Sequence, residues 1–332
     1  MPLTPPPPVT DRAPSDPPGG LAPEHSGNTG NTGTFDAALG DAELLAARAA
    51  LAQGRWQSAR SLLLHTGDEW DRRGHRVTVL AADPGVHSRA GQWLLAEPGS
   101  ADAATLLALA LVHRALRGEE DPEHARASCH TAAELAPADP TPWLGLLLLS
   151  RALGPEAELT AAFKELRARH PEHHHGHHLL IAGLAERPPG GPESHEAYDM
   201  AERAAAEAPA DSPLAVLPVV AYAERHRVLA AAGLAPAVPG PAPCAHWTGP
   251  RARWVLRAAF DWWLEWEHDE HPRRHLDLNH LAFAMSAAGR PAEAAALFHR
   301  IGPHATRAPW SYTGQDPWAA FHQARTHALA HG

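Results

Sequence analysis

The chain has 332 residues, with 28 Lys and Arg against 38 Asp and Glu, which gives a net charge of -10. This acidic balance excludes the basic surface on which phosphate binding depends, so nucleic acid is not an expected partner. Aromatic residues make up only 6% of a chain dominated by Ala and Leu, which excludes an all-β fold because sheets need aromatic and β-branched side chains on their pleats. Two cysteines, Cys129 and Cys244, cannot form a disulfide framework, so we expect a reducing, cytoplasmic location.

Residues 1–33 are rich in Pro and Gly and show no apolar periodicity. This composition predicts a disordered tail. The tail lacks the basic region and the apolar stretch of a signal peptide. The longest apolar runs, 106–112 and 143–149, are much shorter than the roughly 20 residues that a membrane-spanning helix needs, so we expect no membrane association.

Helical signals dominate from residue 35 onward. Asp41 is placed to cap a first helix, and Gly54 to end it. Further segments of about 10–16 residues follow, each bounded by Pro or Gly, which is the rhythm of antiparallel helix pairs. The predicted helices are 42–53, 56–65, 68–82, 86–96, 102–117, 122–136, 141–153, 156–169, 174–186, 193–208, 213–232, 251–267, 275–288, 291–301 and 316–330.

The Pro-rich stretch 235–250 interrupts this rhythm and predicts a linker or long loop. It divides the helical part into an array over 34–234 and a Trp- and His-rich C-terminal region over 251–332. Seven of the 11 tryptophans lie between Trp247 and Trp318. We expect most of them in the core, with one or two available to a partner.

A repeat is visible in the second helix of successive pairs. Pro137 and Pro171 lie 34 residues apart, and residues at twelve, eight and five positions before Pro137, Pro171 and Pro209 share one helix face. These nine seam residues are Ala125, Cys129, Ala132, Leu159, Phe163, Leu166, Ala197, Ala201 and Ala204. A period of 34 residues is that of the tetratricopeptide repeat.

The stretch from Ala133 to Leu144 resembles the joint between two tetratricopeptide repeats, with Trp143, Gly154 and Phe163 at the large and turn positions. Residues 281–298 show the same pattern, with Gly289-Arg290-Pro291-Ala292-Glu293-Ala294 between the two helices. Clear matches cover 102–209 and 275–301, and insertions after Gly118 and at 188–191 indicate an irregular array.

The resemblance implies an all-α, right-handed solenoid of antiparallel helix pairs over about 35–331. The first helices of such arrays line a concave groove that usually holds a segment of a partner protein. One repeat of 34 residues after Trp143 lies His177, which is therefore assigned to the buried large-residue position. The same count assigns a set of residues to the groove, where one guanidinium and two imidazoles suit an acidic peptide. The predicted groove residues are Thr141, Leu144, Leu148, Arg151, His175 and His178.

Ten of the 25 histidines lie in two clusters. The first contains His170, His173, His174, His175, His177 and His178. Three interpretations are open: a metal site, since imidazoles bind Zn²⁺, Ni²⁺ and Cu²⁺; a solvated helix start; or a pH-sensitive binding surface, since His titrates near neutrality. The second contains His268, His271, His275 and His280, with Asp269, Glu270 and Asp277 among them. Its mixed ligands suit a metal, but Pro272 interrupts the helix, and the alternative is a charged loop in which Asp277 caps a helix.

No catalytic motif is present, and Cys129 at a seam position is expected to be a buried apolar side chain. The principal prediction is therefore a non-catalytic scaffold without a cofactor, which binds another protein or peptide segment in the groove. The alternative is a metal-dependent enzyme or sensor that uses the His/Asp cluster near residues 268–280.

Overall fold

The computed structural model describes residues 35–186, 195–234, 245–265 and 270–332. Every regular element in these ranges is a helix, which confirms the all-α prediction. The predicted disordered tail, 1–33, lies outside the described residues. None of the described helices is long and apolar enough to cross a membrane.

The described part of the chain contains sixteen α-helices and two 3-10 helices. The α-helices are α1 Ala42–Ala52, α2 Gln57–Thr66, α3 Trp70–Ala81, α4 Val86–Ala96, α5 Ala101–Leu116, α6 Pro122–Leu135, α7 Thr141–Leu153, α8 Glu156–Arg169, α9 His174–Ala185, α10 Glu196–Glu207, α11 Leu217–Ala231, α12 Ala245–Thr248, α13 Pro250–Glu265, α14 Arg274–Ala287, α15 Pro291–Ile301 and α16 Pro317–His331. The 3-10 helices are Pro213–Val216 and Trp310–Thr313.

Local signals place the helix ends close to where they were expected. The Asp41 carboxylate accepts the Leu44 N–H at 3.0 Å, which caps α1, and Gly54 adopts a φ of +85° in the turn after it. Helix α4 begins and ends at the predicted residues, 86 and 96. Two of the described helices were not predicted: α12 and the 3-10 helix Trp310–Thr313.

Helix α12 lies at the end of the stretch predicted as a linker, 235–250, of which residues 235–244 lie outside the described residues. Trp247 on this short helix is fully buried, and its indole N–H donates to His226 Nδ1 at 2.7 Å. The end of the Pro-rich stretch is therefore part of the core, because burial of the indole outweighs the low helix propensity of its neighbours.

All nine seam residues are buried and belong to one apolar cluster, which confirms the predicted faces. His177, assigned to a buried position by the repeat, is buried against Phe163 with the two rings 5.0 Å apart. Trp143 is half-buried, and the Arg169 guanidinium covers one face of its ring at 4.7 Å from the centroid. The spacing of the repeat thus identified the side chains that join neighbouring helices.

Helices pack in consecutive pairs such as α5 with α6, α7 with α8, and α14 with α15. The first helices also pack on one another: α3 contacts α5, α7 and α9, while α11 contacts both α9 and α14. The beginning and end of the described chain meet as well, since the Phe35 ring lies edge-on to Trp318 at 5.6 Å. These contacts bury α9 and bring α3 and α14 toward its N-terminal half.

Candidate metal centre

The centre begins with two histidines one helical turn apart on α9. Residues at i and i+4 are neighbours on a helix surface, and the His174 and His178 rings lie 4.2 Å apart between centroids. Both side chains are buried. Helix α9 starts at this point because His173 Nδ1 accepts the Gly176 N–H and the Asp71 carboxylate accepts the His174 N–H at 2.9 Å. The backbone of α9 is thereby tied to α3.

Asp277 on α14 supplies a carboxylate between these two rings and is fully buried. Its Oδ2 lies 2.8 Å from His174 Nε2, and its Oδ1 lies 3.3 Å from His178 Nε2. One ligand atom from each of the three residues lies within 4.8 Å of the others. Two imidazoles and one carboxylate form a donor set for Zn²⁺ and for other divalent first-row metals such as Fe²⁺.

The protonation states of His174 and Asp277 are those that a metal site requires. Burial lowers the pKa of His174 and outweighs the attraction of Asp277, so the imidazole is neutral. Burial would raise the pKa of Asp277, but the interactions with His174 and His178 hold it well below its ordinary value. A neutral imidazole and an ionised carboxylate are the forms that bind a metal ion.

A second group surrounds Asp71 on α3. Asp71 Oδ2 lies 3.3 Å from His170 Nε2 and 3.6 Å from His271 Nε2. Burial would raise the pKa of Asp71, but the interactions with His170 and His271 keep it well below its usual range. The His271 ring lies 4.5 Å from the His174 ring, so this group adjoins the first one.

A guanidinium and further imidazoles surround both groups. Burial lowers the pKa of Arg273 to about 10, although Asp277 and Asp71 counteract this effect. Burial, reinforced by Arg273, lowers the pKa of His75 to about 4. Burial and the neighbouring His178 lower the pKa of His280 to about 4. These imidazoles are therefore neutral at pH 7, and Arg273 is charged.

Unpaired polar atoms are concentrated in this centre. Within the described residues, seven buried side-chain atoms of the centre have no hydrogen-bond partner: His173 Nε2, His174 Nδ1, His175 Nδ1, His271 Nε2, Arg273 Nε, Asp277 Oδ1 and His280 Nε2. An unpaired buried polar atom costs about 1–3 kcal/mol of stability, so such a concentration requires an explanation. Asp277 Oδ1 is the clearest case, because His178 Nε2 lies close to it without hydrogen-bond geometry. The atom is therefore placed to bind an ion together with the imidazole.

The structure brings only some of the predicted metal ligands together. His271 lies beside His174, and His280 approaches His178 with ring centroids 5.8 Å apart while its Nδ1 bonds the Leu276 carbonyl. His275 stacks on His304 at 4.1 Å instead. His268 lies outside the described residues. The pair of His174 with Asp277 was not predicted, although the four-residue spacing of His174 and His178 was visible in the sequence.

The predicted groove residues occupy a different environment from the expected one. Thr141, Leu144 and Leu148 are buried between neighbouring helices. Arg151 donates to Glu186 at 2.7 Å. His175 and His178 are also buried, on the helix that carries the centre. Five of the six side chains are therefore buried instead of lining an open groove, because α7 packs against α3, α5, α8 and α9 and because α9 is itself covered by neighbouring helices.

No protein-family model matches this chain, and no curated protein is significantly similar to it. The functional assignment therefore depends on the geometry of the centre itself.

Proposed function

We propose that the protein is a metal-responsive helical-repeat scaffold that binds one divalent transition-metal ion between His174, His178 and Asp277. The observation that supports this most strongly is the fully buried Asp277 carboxylate between two imidazoles, with one oxygen lacking a hydrogen bond. A buried carboxylate without full hydrogen bonding is unfavourable unless a cation compensates it.

The charges of the centre favour a cation. Two carboxylates, Asp71 and Asp277, share one nearby guanidinium, Arg273, and the lowered pKa of His174 keeps that imidazole neutral. Asp277 is fully buried, so water does not screen its charge. Histidine nitrogen and carboxylate oxygen together suit Zn²⁺ better than Ca²⁺ or Mg²⁺, which prefer oxygen ligands alone.

The position of the ion indicates what it would do. Asp71 and Asp277 each lie 103 residues from His174, on either side of it in the chain. An ion at this point would link α9 to α14 directly, and to α3 through Asp71. A ligand that binds only the folded chain stabilises it by mass action, by about 2.7 kcal/mol at a concentration 100 times Kd. We therefore assign the ion a role in holding the array together.

The test is isothermal titration of tag-free, metal-free protein with Zn²⁺. Asp277→Asn keeps the size of the side chain and removes its charge, and we expect the affinity to fall at least 100-fold. The control, called the α16 control below, is His327→Ala with His331→Ala. It removes an exposed i, i+4 histidine pair on α16 whose rings stack at 4.5 Å. The control should bind as the wild type does. Equal affinity of wild type and Asp277→Asn would contradict the proposal.

The scaffold part of the proposal rests on the helix pairs and on the resemblance to tetratricopeptide repeats, including the right-handed solenoid that this resemblance implies. It includes a cytoplasmic location, in keeping with the free thiol of Cys129, and it includes no catalytic step. The proposed partner is another protein or a peptide segment.

One observation favours a particular surface for that partner. Trp254 on α13 is 64% exposed, and tryptophan is enriched among residues that dominate binding energy. We expect the partner to be captured from the native host by wild-type protein and by the α16 control, and to be lost with Trp254→Ala. Capture that is unaffected by Trp254→Ala would place the binding surface elsewhere.

A further inference from the structure

The exposed face of α13 indicates the chemistry of the partner. This face contains Trp254, so the inference rests on the partner surface of the proposed function. On this face Trp254 is 64% exposed and Leu264 is 52% exposed, and the side chains of Arg253 and Arg257 are exposed as well. With 3.6 residues per turn, these four side chains lie within about 100° of the helix circumference. The opposite face is buried through Ala252, Val255, Leu256, Ala259 and Trp263.

Arg251 shows how the same helix accommodates a guanidinium that is paired within the chain. It donates to the Glu202 carboxylate at 2.8 Å and to the Asp199 carboxylate at 2.9 Å, both on α10. Its guanidinium also lies over the Tyr198 ring at 5.6 Å. The chain itself therefore supplies the anions that Arg251 needs.

Arg253 and Arg257 lack such anions. Among the described residues, neither guanidinium forms a hydrogen bond or an ion pair, although Asp261 follows Arg257 by one turn. Their positions do not favour the helix either. Arg253 lies in the first turn, where the positive end of the helix dipole repels a cation, and two arginines at i and i+4 repel each other. Helix stability therefore does not account for these two charges.

This face has the side chains of a binding surface for an anion with an apolar part. Tryptophan and arginine are enriched among the residues that dominate binding energy. A guanidinium pairs strongly with a carboxylate, which accepts two parallel N–H groups. Arg253 and Leu264 are 11 residues apart, which corresponds to about 16 Å along the helix. A partner segment of about five extended residues or three helical turns covers this distance.

We propose that Arg253, Trp254, Arg257 and Leu264 bind an acidic protein segment, which places carboxylates on the two guanidiniums and an apolar side chain against the indole.

A short acidic segment suits this face better than a nucleic acid or a membrane. The chain has a net charge of -10, so an extended array of phosphates would approach many negative charges besides the two arginines. Exposed charges are largely screened beyond about 8 Å at physiological ionic strength. A short segment therefore interacts mainly with the guanidiniums that it contacts.

The test is photo-crosslinking in the native host from a photo-reactive residue at position 258, an exposed alanine one turn after Trp254. Mass spectrometry identifies the crosslinked segment, which is then synthesised and titrated against purified full-length protein. We expect this segment to contain more Asp and Glu than Lys and Arg. Arg253→Glu with Arg257→Glu should weaken its binding by about 10-fold or more, and so should Trp254→Ala.

The matched control is Arg55→Glu with Arg307→Glu, which reverses two exposed arginines away from α13. Its affinity should stay within about twofold of the wild type, because distant charges are screened. The melting temperature of Arg253→Glu with Arg257→Glu should be unchanged or higher, since an acidic side chain in the first turn is favourable to the helix dipole. Loss of binding by this variant is then not a loss of folding.

The outcomes separate this inference from the proposed function. Binding that is lost with Trp254→Ala and kept with Arg253→Glu plus Arg257→Glu would overturn the acidic segment and leave the Trp254 surface in place. A basic or phosphorylated segment, or a crosslink to nucleic acid or lipid, would also overturn the acidic segment. No crosslink from position 258, with partner capture unaffected by Trp254→Ala, would overturn both, whereas the Zn²⁺ titration tests the metal site independently.

Discussion

Several histidines of this protein are held in the neutral form by burial. The pKa values of His75, His113 and His280 fall to about 4, and burial is the largest cause in each case. In the unfolded chain the same groups titrate near 6.5. Below pH 6.5 the unfolded chain therefore binds protons at these imidazoles, whereas the folded chain does not.

This difference predicts loss of stability in acid. A histidine whose pKa is lowered on folding stabilises the fold fully above pH 6.5, and this contribution disappears as pH falls toward 4. We expect the urea midpoint of metal-free protein to be nearly constant above pH 7 and to fall steadily from pH 6.5 to pH 4.5. A midpoint that does not change between pH 7 and pH 5 would show that these imidazoles are not buried as described.

His113 allows the same effect to be measured for one group. It lies on α5, outside the metal centre, and burial lowers its pKa to about 4. Each histidine of this kind contributes about 1.4 kcal/mol per pH unit to the slope of stability with pH. His113→Gln should therefore show a slope smaller by about this amount between pH 4.5 and 6. An unchanged slope would contradict the assignment.

The sequence indicated the histidine clusters but not the carboxylates that face them. The four-residue spacing of His174 and His178 is local and was readable. Asp277 approaches His174 only because α9 and α14 both pack on α11, and no local pattern encodes that arrangement. Asp277 was assigned a capping role for the same reason. The ligand types were thus predictable, and the ligand set was not.

Among single helices, the residues at the seam between helix pairs contribute most to the free energy of unfolding. Phe163 on α8 is 6% exposed and packs against His177, so Phe163→Ala should reduce the free energy of unfolding by about 3–5 kcal/mol. The matched control is Leu64→Ala on α2, where the side chain is 64% exposed and the loss should stay below about 0.5 kcal/mol. Urea denaturation measures both. A similar loss for the two variants would mean that the seam is assigned to the wrong face.

Helix α12 offers a comparison of two tryptophans. Trp247 is fully buried and hydrogen-bonded to His226, whereas Trp254, seven residues later on α13, is 64% exposed. Trp247→Ala should destabilise the fold by about 3–5 kcal/mol, and Trp254→Ala should leave stability within about 0.5 kcal/mol. A small loss of stability for Trp247→Ala in urea denaturation would indicate that the end of the Pro-rich stretch is a loop outside the core.

The sequence predicted the other helices well because their ends depend on local chemistry. Asp41, Gly54 and the prolines act within a few residues, and they mark helix ends wherever the chain lies. Helix α12 follows four closely spaced prolines, which argue locally for a loop. Trp247 packs in an apolar cluster formed by distant parts of the chain, and no local pattern encodes this burial.

In the molecule as a whole, the first helices of the pairs converge. A repeat period describes how each pair packs on the next, so it predicted contacts between neighbours such as α7 and α9. It did not predict that α3 also contacts α9 or that Phe35 meets Trp318, because these contacts join distant parts of the array. The expected groove was an extrapolation from open arrays, and the packing of α7 and α9 against their neighbours buries most of its residues instead.

This convergence makes metal binding a property of the whole chain. If an ion joins α9 and α14, Zn²⁺ in excess should raise the melting temperature of the wild type by several degrees, since binding to the folded state alone adds about 2.7 kcal/mol at 100 times Kd. Differential scanning calorimetry with and without Zn²⁺ measures the shift. Asp277→Asn should show almost none of it, and the α16 control should show all of it. Equal shifts in the three proteins would place the responsible ion outside the centre.

The most direct test of the metal centre is a crystal structure of the Zn²⁺-loaded, tag-free protein with anomalous data at the zinc absorption edge. We predict an anomalous peak within bonding distance, about 2.0–2.2 Å, of His174 Nε2, His178 Nε2 and the Asp277 carboxylate. Peaks confined to exposed histidines such as His327 and His331, with the His174 to Asp277 hydrogen bond intact, would contradict it.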